Sequence, residues 1–381
     1  MSAGREKSIA AQGAVVLTSV LLVAWAWRAD VAWFERHVYA GYCAVSRAHS
    51  VWPTVARVAS LVAAALLLLL ARPRLARWAA RSRAIDIAAV LAAVAAALIV
   101  SELLLRRRPL GDATPVTRKD MPRAIADPRV GWRFVPSQAV SVPIGEGRVE
   151  YAIDAEGNRA RSRSAATSLD RPTIVVAGES IAFGESLPWD QTFTAHLAAD
   201  LDVQVVNVGV PAYGSDQAYL RSVDALARLR RPVALVTVFV PEVVRRNGQT
   251  HRPHLELEDG LLIPAPARGG LALARLWRDE PYHGDRALDL TRAILAATVR
   301  AARARGAAPL FVVTNFGPAC SDDAWLFREL FAEPNIPYVR VTLAPGDTTS
   351  ARDLHPNARG ARKLADAIES ALRRAPTGAP R

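Results

Sequence analysis

Three runs of apolar residues fill most of the first 105 positions, and they limit what this chain can fold into. They cover about 9–27, 54–71 and 87–105. The second carries one charge, Arg57, and the third only Glu102. Each is apolar all round rather than along one stripe, the pattern of a helix surrounded by lipid and not of one flank of a soluble bundle. Each is also close to the ~20 residues that cross a bilayer core. Glu102 falls near the end of its run, within reach of the interface. The expectation is an N-terminal bundle of transmembrane helices over residues 1–108.

Charge sets the orientation. The short connection between the second and third runs holds Arg72, Arg74, Arg77, Arg81 and Arg83, which places it in the cytoplasm. The third run then leads outward and carries everything after 108 outside the cytoplasm. The chain reads as a multi-pass protein of the inner (cytoplasmic) membrane, although Arg106, Arg107 and Arg108 pull the opposite way. The first run also has the features of a signal peptide, with Ala24-Trp25-Ala26 as a cleavage-like site. Cleavage would leave the rest of the chain outside all the same.

Composition removes other classes. Apolar residues make up 51%, which excludes a disordered or collagen-like chain. The net charge of +12 raises the question of nucleic acid. Only Lys7, Lys119 and Lys363 of the 48 basic residues are lysine, and no basic stripe interleaves with aromatics. The charge follows an arginine- and alanine-rich composition, and no nucleic-acid partner is expected. Cys43 and Cys320 lie too far apart for a disulfide scaffold or a cysteine-rich zinc site.

Residues 109–127 are polar and proline-containing and read as a linker. Residues 128–168 alternate, are punctuated by Gly and Pro, and read as a small β segment. From 169 to 375 the pattern is α/β. Thr173–Ala177, Val203–Val208, Val233–Val240, Pro309–Thr314 and Tyr338–Leu343 are short continuous apolar runs, the mark of fully buried strands. Helical patterns near 191–200, 215–229, 286–305, 321–332 and 357–374 separate them, which implies a parallel sheet covered on both faces. Leu364, Ile368 and Leu372 form a core-facing stripe in the last helix. Asp259-Gly260 between apolar positions signals a hairpin, inside a long insertion at 244–284.

Three short segments carry chemistry. The first strand runs into Gly178-Glu179-Ser180, and a serine just past the carboxyl end of a central parallel strand sits where such sheets bind ligands. The same pattern also suits an ordinary turn with a capping serine. Near the C-terminus, Asp353-Leu354-His355-Pro356-Asn357 places a histidine at the mouth of the last helix, with a carboxylate two residues before it. A serine becomes a nucleophile when a base takes its proton, and a carboxylate fixes the tautomer of that base. Between them, Asn207-Val208-Gly209 ends the second strand, where the Gly209 N–H could join that of Ser180 as an oxyanion donor. His251 and His254 form an H-x-x-H pair with no clear third ligand, so no metal and no cofactor are expected.

In this order the segments resemble the SGNH/GDSL hydrolase family, membrane-anchored bacterial type. Gly178-Glu179-Ser180 resembles its first block, with Glu for the usual Asp. Asn207-Val208-Gly209 with Tyr213-Gly214-Ser215-Asp216-Gln217 resembles the second, and Asp353-Leu354-His355-Pro356-Asn357 the last. Gly131-Trp132-Arg133, Tyr151-Ala152-Ile153-Asp154 and Gly157-Asn158-Arg159 resemble the β segment that leads into the domain. The likeness covers roughly 128–374. It implies a three-layer α/β/α parallel sheet (flavodoxin-like), Ser180 as nucleophile, His355 as base and Asp353 as its partner. It also implies the amides of Ser180 and Gly209 as oxyanion donors. The implied activity is that of an esterase or acyl transferase on acylated envelope carbohydrate or lipid, a transferase needing a membrane-protein partner for its acyl donor. The family's third donor, an Asn after the third strand, aligns with Glu242. An ionised carboxylate cannot donate, so Glu242 would slow the enzyme or leave a catalytically weak carbohydrate-binding or assembly module. Asn247 is the substitute donor if the loop folds back.

The topology has a direct test. A reporter fused after Arg381 should be active only if it works outside the cytoplasm, and activity of a cytoplasm-only reporter there would reverse the orientation.

Overall fold

The computed structural model describes residues 2–30, 47–107, 121–144, 147–241, 243–247, 249–250, 252–268, 270–271, 285–316, 327–331, 336–350 and 353–374. Cys43, Glu242, His251 and Cys320 lie outside the described residues. The chain divides into two compact units, one within Met1–Gly111 and Leu271–Asp279, the other within Asp112–Gly270 and Glu280–Arg381.

The first unit is helical. Its elements are Ser2–Arg28, Arg47–Leu66 continued through a π-helical turn at Leu67–Ala71 into Arg72–Arg81, and Ala84–Arg107. The segments Gly4–Arg28, Pro53–Arg81 and Ala84–Leu104 are each long and apolar enough to cross a membrane. Leu69, Leu91 and Ile99 are 60–73% exposed, apolar surface that water would disfavour and lipid would not. The arginine-rich stretch expected as a connection is instead helical, an extension of the second apolar helix. Pro73 lies just after the π turn. Its ring has no N–H and crowds the carbonyl of Leu69 four residues back, and a widened turn relieves that clash. The first two helices run antiparallel. Lys7 donates to the Ser82 carbonyl (3.1 Å) and Arg72 to Gln12 Oε1 (3.0 Å) at one end, and Arg57 donates to the Ala26 carbonyl (2.9 Å) at the other. Arg57 thereby satisfies a carbonyl at a helix C-terminus, where no intrahelical donor is available. Glu102 lies near the end of its helix, Ala84–Arg107, as expected, and is buried.

Among the described residues of the second unit the strands are β1 (Ala124–Asp127), β2 (Gly131–Phe134), β3 (Gln138–Ile144), β4 (Gly147–Ile153), β5 (Arg159–Ala160), β6 (Thr173–Ala177), β7 (Gln204–Asn207), β8 (Pro232–Phe239), β9 (His254–Glu258), β10 (Leu261–Ala265), β11 (Ala308–Phe316) and β12 (Tyr338–Leu343). The main sheet has the order β12-β11-β8-β6-β7-β5-β4-β3. The run from β12 to β7 is parallel, and its order is that of a flavodoxin-like doubly wound sheet. From β7 onward the pairing turns antiparallel. Of the strands expected as a small β segment of their own, β3, β4 and β5 therefore extend the main sheet, which is mixed, while β2 pairs with β1 in a separate two-stranded sheet. The expected linker is also shorter, since β1 falls inside 109–127 and pairs with β2.

Helices cover both faces. Phe193–Asp200 packs with Ala358–Arg374 on one, and Ser215–Arg228 with Asp285–Ala304 on the other. The alternation of a strand divides β6 between them. Ile174 and Val176 join Leu197, Leu364 and Ile368 in one core, while Val175 and Ala177 join Ala218 and Leu226 in another. β9 and β10 form the expected hairpin, with Asp259 (φ 48°) and Gly260 (φ 78°) both left-handed as a type I′ turn requires.

Asn207 joins the sheet to the segment after β6. Its Nδ2 donates to the Ala182 carbonyl (2.7 Å) and its Oδ1 accepts the Gly209 N–H (2.9 Å), all fully buried. Replacing it with Ala leaves a buried carbonyl and a buried N–H without partners, each costing about 1–3 kcal/mol. Asn207→Ala should therefore lower the thermal midpoint of the α/β unit by several degrees; an unchanged midpoint would show that other groups hold this corner.

Candidate active site

β6 ends at Ala177, and the chain reverses through Gly178 (φ 140°) into a short helix, Ser180–Phe183. Only glycine fits at 178, because a Cβ there would lie 3.0 Å from the Val238 carbonyl oxygen. Glu179 precedes the helix, and its Oε1 accepts the Ile181 N–H at 3.1 Å. Ser180 opens the helix, so its N–H is a first-turn amide with no intrahelical acceptor.

His355 arrives from the other side. β12 stands three strands from β6, roughly 14 Å at ordinary strand spacing. The loop after β12 crosses that distance because it is tightly braced. Asp347, buried, accepts the Ala344 N–H (2.9 Å) and donors from Arg359 (2.8 Å) and Lys363 (3.1 Å). Its carboxyl is held down at about 2, first by the Ala344 hydrogen bond and against the opposing effect of burial. Asn357 donates to the carbonyls of Gly346 and Thr348, and Thr349 donates to that of His355. The imidazole ends with Nε2 2.8 Å from Ser180 Oγ and Nδ1 2.6 Å from Asp353 Oδ1. Asp353 Oδ1 also accepts the His355 backbone N–H at 3.2 Å, so the two-residue spacing lets one loop orient base and partner together. A carboxylate can only accept, so Nδ1 carries the proton and Nε2 faces the serine.

Two more carboxylates face this imidazole. The Ser180 hydroxyl donates to Glu179 Oε2, and Glu185 Oε2 lies 3.7 Å from His355 Nε2. Burial pulls the His355 pKa down. The hydrogen bond to Asp353 and the charges of Glu185, Asp353 and Glu179 outweigh it and hold the group at about 9. A pKa raised to about 9 favours an imidazolium at neutral pH, with Nε2 directed at Ser180 Oγ and the hydroxyl directed at Glu179. General-base chemistry needs the proton off Nε2 and the hydroxyl turned toward it.

The structure brings Ser180, Asp353 and His355 together, and it distributes the expected oxyanion donors differently. The Gly209 N–H already has an acceptor in Asn207 Oδ1. Gly209 is also required for packing, since a Cβ there would lie 2.8 Å from the Phe183 nitrogen. Asn247 is not a donor toward Ser180. It is fully buried, its amide donates to Thr291 Oγ1 (2.9 Å), and its Oδ1 accepts the Asp216 N–H (3.3 Å). Glu242, aligned with the third donor, lies outside the described residues. The Tyr-Gly-Ser-Asp-Gln segment is a clamp: Asp216 forms a buried bidentate pair with Arg252, Tyr213 donates to the Trp132 carbonyl, and Gln217 donates to that of Val130. His254 is held by the Arg252 carbonyl and Glu256. Among the described residues no group of three or more His, Cys, Asp or Glu could hold a metal ion.

No family model and no curated protein matches this chain. Among solved structures it is similar to a lipolytic protein of the G-D-S-L family from Desulfitobacterium hafniense DCB-2, at 15% identity and a TM-score of 0.36 over 52% of this chain and 99% of that one. It is also similar to an acetyl xylan esterase from the rumen bacterium Butyrivibrio proteoclasticus, at 14% identity and a TM-score of 0.32 over 55% of this chain and 65% of that one. A salicylyl-acyltransferase from a tetracycline biosynthetic pathway matches at 14% identity and a TM-score of 0.27, over 62% of this chain and 61% of that one. These neighbours are GDSL-type lipolytic proteins, esterases and an acyltransferase.

The raised His355 pKa fixes two signs. The charged imidazole stabilises the folded state fully below its unfolded value near ~6.5, and that contribution is lost as pH rises through about 9. Activity runs the other way, because the base must be neutral. The kcat/KM for a neutral ester should climb with pH through about 9, and a profile already flat from about pH 6 upward would contradict a cationic resting state.

Proposed function

We propose that this chain is a membrane-anchored serine hydrolase of the SGNH/GDSL family, acting on ester bonds by deacylation or acyl transfer on envelope carbohydrate or lipid. The observation that carries the proposal is the contact between Ser180 Oγ and His355 Nε2 at 2.8 Å, backed by Asp353 on Nδ1 at 2.6 Å. With the ordered motif series around it, this is a nucleophile, a base and an orienting carboxylate in the geometry acyl transfer requires. The three apolar helices support anchoring in a membrane, and the arginines at 72–83 support the reading that the α/β unit lies outside the cytoplasm.

In the proposed cycle, neutral His355 takes the Ser180 proton as Oγ attacks the acyl carbonyl. The oxyanion forms against the first-turn amide of Ser180, and the Gly209 N–H joins when it turns from Asn207. His355 then gives its proton to the departing alcohol oxygen. Water or a second hydroxyl, deprotonated by the same imidazole, attacks the acyl-serine carbonyl; the Ser180 Oγ–acyl bond breaks, the imidazolium returns the proton to Oγ, and the acid or the new ester leaves. Glu179, Glu185 and Asp353 make the site strongly acidic, which favours neutral acyl groups over those carrying a second carboxylate. A transferase would draw its acyl group from a membrane-protein partner.

A second reading is a catalytically weak carbohydrate-binding or assembly module. Its support is the oxyanion side of the site, where Gly209 already has an acceptor and Asn247 is committed to Thr291. Losing one donor costs ~10²–10³ in rate. Hydrolysis of p-nitrophenyl acetate by the full chain separates the two. The hydrolase reading expects slow turnover that falls by ~10³ or more in Ser180→Ala and in His355→Ala. Wild-type turnover no higher than that of Ser180→Ala would favour the binding module.

A further inference from the structure

The segment just after the Ser180 helix carries a carboxylate that the proposed cycle does not use as a partner of the base. Glu185 is 6% exposed, and its Oε2 lies 3.7 Å from His355 Nε2, on the side of the ring opposite Asp353. That is where positive charge appears when the serine proton arrives. Its backbone is fixed as well: the Glu185 N–H donates to the Ser180 carbonyl (3.0 Å) and the Leu187 N–H to that of Gly184 (3.2 Å). Gly184 (φ 79°) and Ser186 (φ 70°) flank it in the left-handed region, a conformation that a serine keeps only when its surroundings impose it.

The antiparallel extension supplies those surroundings. The Tyr151 hydroxyl, on β4, accepts the Ser186 N–H at 2.9 Å. Arg159, on β5, is 2% exposed and donates to the Leu187 carbonyl (3.3 Å), as well as to carbonyls of Glu150, Ala152 and Ala160. Its guanidinium lies 4.9 Å from the Tyr151 ring, 5.4 Å from Phe183 and 5.8 Å from Trp189. The extension thus grips the chain on both sides of Glu185, through Phe183 before it and Ser186 and Leu187 after it.

We propose that Glu185 is a second carboxylate partner of the His355 base, and that Tyr151 and Arg159 of the antiparallel extension are positioning residues that hold it against Nε2. This rests on the hydrolase reading for its catalytic meaning, but the electrostatic relation stands on the geometry alone. The charged groups facing the imidazole among the described residues are Asp353 from its own loop, Glu179 before the Ser180 helix and Glu185 after it. Asp353 orients the ring at Nδ1. Glu179 holds the serine hydroxyl. Glu185 stabilises the cation that takes the proton from Ser180 and later returns it to the departing alcohol.

The test is the titration of His355 in the full chain, isotope-labelled at histidine and held in detergent micelles, with its signal identified by loss in His355→Asn. An opposite charge within ~4–6 Å moves a pKa by about one to three pH units. Glu185→Gln should lower the His355 midpoint by about one unit or more. Tyr151→Phe, which keeps the ring and removes the acceptor for Ser186, should lower it by a smaller but measurable step in a chain that still unfolds cooperatively on heating. A His355 midpoint unmoved in Glu185→Gln would overturn the proposal. An unmoved midpoint in Tyr151→Phe would overturn the role of the extension, and this variant carries the test if Glu185→Gln does not fold. The titration needs no turnover, so a chain without esterase activity would sink the hydrolase reading and leave this measurement able to decide the other.

Discussion

The site depends on a carboxylate that touches neither serine nor histidine. Asp347 sits buried at the root of the loop after β12, bonded to the Ala344 amide and to Arg359 and Lys363 of the last helix. The loop has to carry His355 back across the carboxyl ends of β11 and β8 to reach β6. A free loop would sample many positions, and ordering each residue costs about 1–2 kcal/mol of backbone entropy. Asp347, with Asn357 bonded to Gly346 and Thr348, offsets that cost with charge-assisted bonds that survive in all but strong acid. Gly360 lies against the same point, where a Cβ would meet the Asp347 carbonyl, so the last helix can approach closely enough to supply its cations.

What the loop delivers is one imidazole among three carboxylates. This arrangement raises basicity and delays deprotonation together. A strongly held imidazolium is a stable resting state and a reluctant base at neutral pH, and the serine hydroxyl meanwhile rests on Glu179. Glu179, directly before the serine, has the reach for that contact. The helix that presents Ser180 is itself located by Asn207, which ties Ala182 to the strand beside it. Backbone pairing of Arg159 with Asn207 then links this corner to the antiparallel strands.

Much of this was legible in the sequence because it is local. Buried parallel strands read as continuous apolar runs, and Thr173–Ala177 and Tyr338–Leu343 match their strands residue for residue. Ser180, Asp353 and His355 stand in short motifs whose chemistry requires those residue types together. The antiparallel extension was legible as strands but not as part of the main sheet, since its joining pair, Arg159 with Asn207, is set by tertiary packing. The helical end of the second apolar run was hidden because arginines signal a loop by charge while their helix propensity is high. Asn247 could not be placed from spacing, because its buried partners, Thr291 and Asp216, lie on other elements. Glu185 stands outside the three motifs, an acid two residues past Phe183, and nothing in the sequence connects it to His355.

The central claim is that Ser180 is a nucleophile activated by His355. Reaction of the full chain with a fluorophosphonate, followed by mass spectrometry of the digested protein, tests it most directly. The account predicts one covalent adduct, on Ser180, formed faster as pH rises toward about 9 and absent in His355→Ala. An adduct on another residue, or labelling of Ser180 that persists undiminished without His355, would contradict it.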